Sequence, residues 1–217
     1  MPRLHHTQQK AYLRRLLDAY GALEEFQAWD FGVNEDGFRQ PGLYLVTRTV
    51  RPRVTQDHEG SEYELTFVTR DPAIAQWSGS QLGHLAGAAE TVRRSGVTGT
   101  ARRPLTEGRF RMPDLEVLSG EGEEMFDHAL EYDAGYKQKD VREKLRDFAA
   151  GLHYQSVIWG TSVRGRVGRI AGWIEDEQRK GQLPGLKRAQ VLYAPYWTEK
   201  ETKFRHSTRP SGVTLTF

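Results

Sequence analysis

The sequence predicts a two-part α+β protein: a helical N-terminal unit carrying a β-hairpin, then an α/β domain built on a mixed sheet. Three observations carry this expectation. Apolar residues recur at helical spacing before residue 30 and switch to strand alternation between residues 43 and 68. Beyond residue 80, strand-like and helix-like segments alternate, the order in which helices cover a sheet. A chain of 217 residues with 37% hydrophobic and 28% charged residues, including nine Phe, nine Tyr and five Trp, is enough for one or two packed cores.

The elements follow in order. Residues 7–20 place Ala11, Tyr12, Leu16, Leu17, Ala19 and Tyr20 at helical spacing and stop at Gly21. Residues 22–29 (ALEEFQAW) read as a second short helix, and residues 30–41, with Gly32, Asn34, Gly37 and Pro41, as loop. LYLVTRTV (43–50) and YELTFV (63–68) alternate as two strands of a hairpin with a long polar tip. Helix, helix, ribbon is the order of a shortened winged helix, which sets Arg48, Arg51 and Arg53 on the wing, where backbone phosphates are contacted. A loop at 71–80 divides the chain into residues 1–75 and 76–217. Next come a helix at 81–94 (QLGHLAGAAETVRR) ending at Gly96, a strand-like arm through 97–112, a strand at 115–118, a glycine-acid turn and a strand at 125–132. The helix at 139–151 shows one apolar face, Val141, Leu145, Phe148 and Ala149; YQSVIWG (154–160) and AQVLYA (189–194) are buried strands around a helix at 163–180. The closing GVTLTF is an edge strand or a tail.

Composition excludes several classes. With no Cys, disulfide scaffolds, thiol catalysis and cysteine-based zinc sites are ruled out. No apolar run approaches the ~20 residues of a membrane span, and the polar first ten residues predict no secretory leader, so a cytoplasmic protein without membrane contact is expected. Net charge is only +2, but it is unevenly distributed: −3 over residues 1–90, +5 over 91–112, −6 over 113–150 and +6 over 151–217. An acidic block between Arg-rich flanks suits a divalent metal held over a phosphate backbone, or is simply alternating surface charge.

The acids concentrate on one hairpin. Glu131 and Asp133 lie two apart on a strand and share a face, and Asp114, opening the preceding strand, can approach them. Glu90 could add a fourth carboxylate from a facing helix. Such an oxygen-rich group suits Mg²⁺ or Mn²⁺. Lys137, Lys139 and Lys144 follow, and a Lys beside a metal-bound phosphate can stabilise developing charge. Bland readings stand beside this one: Asp114 as a turn cap, Glu131 and Asp133 as the polar face of an edge strand paired with Lys137 or Arg142. His84 reads as packing or capping, and Tyr132 as core; Tyr132 and Tyr136 are the nucleophiles nearest the acids. The five Trp read mostly as core, with Trp197 open to stacking on a base. TSVRGRVGR (161–169) brings Arg164, Arg166 and Arg169 to a helix start, a plausible phosphate site, and Arg93, Arg94, Arg102, Arg103, Arg109 and Arg111 form a second basic stretch.

Asp114 with Glu131-Tyr132-Asp133 and a nearby Lys resembles the PD-(D/E)xK nuclease core. QLGHLAGAAETVRRSGV (81–97), RMPDLEVL (111–118) and HALEYDAGYKQKDVREKLRDFA (128–149) together resemble the replication-relaxase family of mobile elements. That resemblance covers residues 80–195 and implies a winged helix joined to a nuclease-like α/β domain with a mixed sheet, working in replication or transfer of plasmids, phages or integrated elements. Implied partners are DNA and other replication or transfer proteins, with a homodimer open. Two departures stand out: Asp133 occupies the motif's Lys position, so the basic role would pass to Lys144, and no closely spaced His triad marks relaxase chemistry. Three functions stay open: a DNA-binding protein with a degenerate nuclease-like domain, a Mg²⁺-dependent nicking endonuclease using Asp114, Glu131, Asp133 and Lys144, and a transcriptional regulator whose α/β domain dimerises.

Overall fold

A computed structural model describes residues 6–38, 40–52, 61–104, 111–119, 126–133, 135–197 and 212–217. The N-terminal helix α1 (His6–Tyr20) buries Leu13, Leu16, Leu17 and Tyr20, the stripe its spacing predicts. The expected second helix is split. Residues 22–24 form a short strand, β1 (Ala22–Glu24), paired antiparallel with β3 (Tyr63–Thr69), and only then does α2 (Glu25–Asp30) begin. The reason is local: the Glu24 side chain accepts from the Gln27 backbone N–H while Gln27 returns a bond to the Glu24 N–H, a capping box that starts the helix three residues late. A four-residue helix, α3 (Glu35–Phe38), occupies part of the expected loop. β2 (Tyr44–Val50) completes a three-stranded antiparallel sheet in the order β1-β3-β2.

The second sheet has six strands in sequence order: β4 (Gly99–Arg102), β5 (Leu115–Ser119), β6 (Phe126–Asp133), β7 (Ser156–Thr161), β8 (Arg188–Tyr193) and β9 (Gly212–Thr216). The β6-β7 and β7-β8 pairs are parallel and the rest antiparallel, so the sheet is mixed, as expected. The C-terminal GVTLTF segment is an edge strand on β8. The parallel steps need crossovers, supplied by α5 (Gln138–Arg146), which runs into a π-helical turn at Asp147–Gly151, and by α6 (Arg164–Arg179). Both pack on one face over Phe148, Val157, Trp159, Ile170 and Val191.

On the other face lies α4 (Gly79–Ser95), which also contacts β1 and β2, so one apolar core runs from α1 through α4 to Leu130 and Ile158 of the large sheet. Close approach depends on two glycines. A Cβ on Gly87 would lie 2.3 Å from the Tyr132 ring, and one on Gly83 would lie 2.1 Å from the Tyr196 hydroxyl oxygen. Tyr132 therefore points into the core, as its place between Glu131 and Asp133 predicts. Among the described residues no helix is long and apolar enough to cross a membrane.

Candidate functional site

The register of β5 against β6 pairs Leu115 with Leu130, which sets Asp114 beside Glu131 at one end of the large sheet. The Asp114 carboxylate is held in two ways: its Oδ2 accepts from the Tyr132 backbone N–H at 2.7 Å and lies 2.9 Å from His84 Nε2. His84 comes from α4, and its ring meets the Tyr132 ring edge-on at 5.7 Å. One ligand atom each from His84, Asp114 and Glu131 lie within 4.8 Å of one another. From the opposite helical layer, Lys144 of α5 donates to Glu131 Oε1, and its Nζ sits 4.7 Å over the Tyr136 ring.

Glu131 is wholly buried, and its Oε2 makes no hydrogen bond. Burial, reinforced by the Asp114 charge, raises its carboxyl from 4.5 to about 8 against the pull of Lys144 and His84. Burial works against a charged His84, yet the hydrogen bond and charge of Asp114, with the charge of Glu131, hold its imidazole above the ordinary value. Burial and the same two carboxylates push the Tyr136 phenol far above its ordinary value, so it stays protonated; Tyr132 is raised well above 10 by burial too. Both phenols are thus held in their protonated form near neutral pH.

Of the residues expected at the site, Asp114, Glu131 and Lys144 converge, while Asp133 and Glu90 do not join them. Asp133 is wholly buried but committed elsewhere: Oδ2 accepts from Arg166 Nε at 2.6 Å, and Oδ1 accepts from the backbone N–H groups of Gly135 and Tyr136 at 2.7 Å each. Arg166 also donates to the Tyr136 carbonyl at 2.7 Å. This seat fixes the turn that carries Tyr136 toward Lys144, so Asp133 supports the cluster from behind. Glu90 is buried on α4 and closed by Arg93 at 2.7 Å and by Arg94.

The basic residues expected to meet DNA are dispersed. Arg166 is buried on Asp133, Arg164 stacks over Tyr193 at 5.0 Å, and Arg169 is exposed, so the three guanidinium groups do not form one phosphate cradle. Arg93 and Arg94 serve Glu90. Arg48 donates to the carbonyls of Trp77 and Ala75, Arg51 pairs with Glu62, and Arg102 pairs with Glu116 at 2.7 Å. Arg103 lies beside Gly21. Arg53 and Arg109 lie outside the described residues. Trp197, 1% exposed, is core and cannot stack on a base.

His84 is the functional candidate that sequence reasoning set aside. A lone imidazole on a helix otherwise made of small residues and Leu, LGHLAGAA, was the available signal: such a helix packs closely, so its one polar ring must meet a polar partner. What could not be read was that the partner, Asp114, lies 30 residues on. Set against known proteins, the chain matches no family model, no curated protein and no solved structure.

Proposed function

We propose that this protein is a divalent-metal-dependent phosphodiesterase that nicks DNA, with Asp114, Glu131 and His84 as metal ligands and Lys144 as the positioning cation. The observation that carries this reading is the buried Glu131 carboxylate: one oxygen takes Lys144, and the other is unpartnered beside Asp114 and His84. Burial beside Asp114 favours the neutral form of this carboxyl, and a divalent ion bound by it, Asp114 and His84 would favour the ionised one. Two carboxylates with one imidazole fit Mn²⁺ better than Mg²⁺, because the nitrogen donor favours the later metal. A divalent ion held there would lower the pKa of a bound water and neutralise the attacked phosphate.

The chain's own groups do the rest. Tyr132 N–H and His84 orient Asp114; Lys144 offers its ammonium at the carboxylate rim, where charge builds on a phosphate. The Asp133–Arg166 seat locks the turn that holds Tyr136 over Lys144. The order α4-β4-β5-β6-α5-β7, with β6 and β7 parallel, supports the PD-(D/E)xK resemblance, with the motif's Lys supplied by Lys144. The run α1-β1-α2-α3-β2-β3 with sheet order β1-β3-β2 supports a winged-helix reading of the N-terminal unit, and so a DNA substrate delivered in replication or transfer of a mobile element.

A second reading has its own observation: Asp133 in place of the motif's Lys, sealed by Arg166, fits a domain that binds DNA without cutting it. Supercoiled plasmid incubated with protein in Mg²⁺, Mn²⁺ or EDTA, beside Asp114→Asn and Glu131→Gln, decides between them. Metal-dependent nicking lost in both variants is expected; a retarded but uncut plasmid in every lane would favour the second reading.

A further inference from the structure

A cavity of about 300 Å³ lies next to the His84–Asp114–Glu131 cluster. Its walls come from the end of β2, the first turns of α4 and the segments that follow β7 and β8, so it lies where the small sheet meets the large one. His84 belongs to both, one ring serving the cluster and lining the cavity. The lining is chemically divided. Arg51, Ser80 in the first turn of α4, and Ser162 just ahead of α6 supply its polar side, with Arg51 paired to Glu62 and Ser162 bonded to the Tyr132 side chain. Tyr132, Tyr196 and Val50 supply an apolar wall. The volume lies at the lower end of the range for small-ligand pockets. A single nucleotide attached to one strand can enter such a space; a base pair, tied to two backbones, cannot.

We propose that this cavity seats one unpaired nucleotide of the strand whose phosphate lies at the His84–Asp114–Glu131 cluster. The substrate is then DNA with an unpaired or frayed position at the reaction point, and continuous duplex is the poorer substrate. The inference rests on the nuclease reading above and deepens it by naming the substrate class.

The test is a binding measurement that does not require turnover. Fluorescence anisotropy in Ca²⁺ compares a labelled duplex with the same duplex carrying one unpaired nucleotide, for the unaltered protein and for Ser80→Phe. Ser80 is exposed at the cavity rim, so the phenyl ring fills the space from outside the core; Thr49→Phe fills it from the opposite rim should the first variant fold poorly. The unaltered protein is expected to bind the unpaired substrate about tenfold more tightly, the size of one seated base, and the filled variants to lose that preference. Equal affinities in the unaltered protein, or a preference that survives in folded filled variants, would overturn the proposal. Plasmid nicking separates the two ideas. Metal-dependent nicking with equal affinities removes the cavity's role alone, whereas a preference without any metal-dependent nicking supports the cavity and removes the nuclease reading.

Discussion

Glu177 and Glu131 are both wholly buried, and the chain treats them in opposite ways. Glu177, on α6, is met by Arg142 at 3.0 Å, Arg146 at 2.6 Å and Lys180 at 3.6 Å. Glu131, on β6, is met by Lys144, has Asp114 and His84 alongside, and keeps one oxygen unpartnered. Asp133, two residues on, follows the Glu177 pattern, with Arg166 and two backbone amides saturating it. Where a buried carboxylate holds the structure together, the sequence supplies guanidinium groups and hydrogen bonds enough to neutralise it. At Glu131, Lys144 and His84 do not offset burial and the Asp114 charge, so its carboxyl stays raised, a perturbation of the kind found at functional sites.

The sharpest way to break this contrast is to remove one partner from each kind of carboxylate. Arg166→Ala leaves Asp133 buried without its counter-charge, held by two backbone amides alone, and about 3–5 kcal/mol of stability should disappear in urea unfolding. Glu131→Gln should act in the other direction. The folded-state carboxyl of Glu131 stands at about 8 against 4.5 when unfolded, so its contribution is fully present below about 4.5 and is lost as pH rises through 8. Metal-free protein should therefore lose stability across that window, with the raised His84 adding to the loss at its upper end, and Glu131→Gln should remove the Glu131 share and make the slope shallower. Glu90 gives the opposite sign. Burial raises its carboxyl but Arg93 and Arg94 prevail and hold it low, so its contribution is lost only as pH falls. A pH-stability series on the Glu131→Gln protein with an undiminished slope would show that Glu131 is as well compensated as Glu177.

Adding a divalent cation tests the same contrast from the other side. Mn²⁺ at a hundred times its dissociation constant should stabilise the protein by about 2.7 kcal/mol. The gain should vanish in Asp114→Asn and Glu131→Gln and survive in Glu177→Gln. Thermal unfolding with and without Mn²⁺ reads it directly, and stabilisation of equal size in all three variants would place the ion elsewhere.

The contrast also explains what the sequence could and could not disclose. Asp114, Glu131 and Lys144 were legible because strand alternation and helical spacing aim side chains without knowledge of the whole fold. Asp133 was misjudged because sharing a strand face with Glu131 says nothing about partners. Its partner, Arg166, is 33 residues away, and only the β6-α5-β7-α6 crossover brings it back. His84 was missed for a similar reason. Most strands and helices were legible from periodicity; β1 was not, since three residues (ALE) too short to show a period take their strand form from the open edge of β3.

A milder perturbation asks whether the cluster depends on its backing. Tyr132 positions Asp114 through its backbone and His84 through its ring, and Gly87 makes room for that ring. Gly87→Ala forces the two apart, and overpacking of this kind costs about 1–3 kcal/mol. Mn²⁺ affinity should fall along with stability, whereas an overpacking mutation confined to scaffold would lower stability alone. Isothermal titration beside urea unfolding distinguishes the two outcomes.

The smallest expected effect on the fold falls at the surface. Arg51 and Glu62 form an ion pair whose side chains are 59% and 55% exposed. Pairs this exposed contribute about 0–1 kcal/mol, because water and salt screen the attraction and two long side chains must be held still. Arg51→Ala should therefore leave urea unfolding nearly unchanged. On the proposed function its effect falls on DNA binding. If Arg51 exchanges Glu62 for a phosphate on binding, the slope of log affinity against log salt should become shallower by about 0.9 in the variant, the signature of one lost phosphate contact on duplex. An unchanged slope would confine Arg51 to its pairing with Glu62 and remove the β2 end of the small sheet from the proposed DNA contacts.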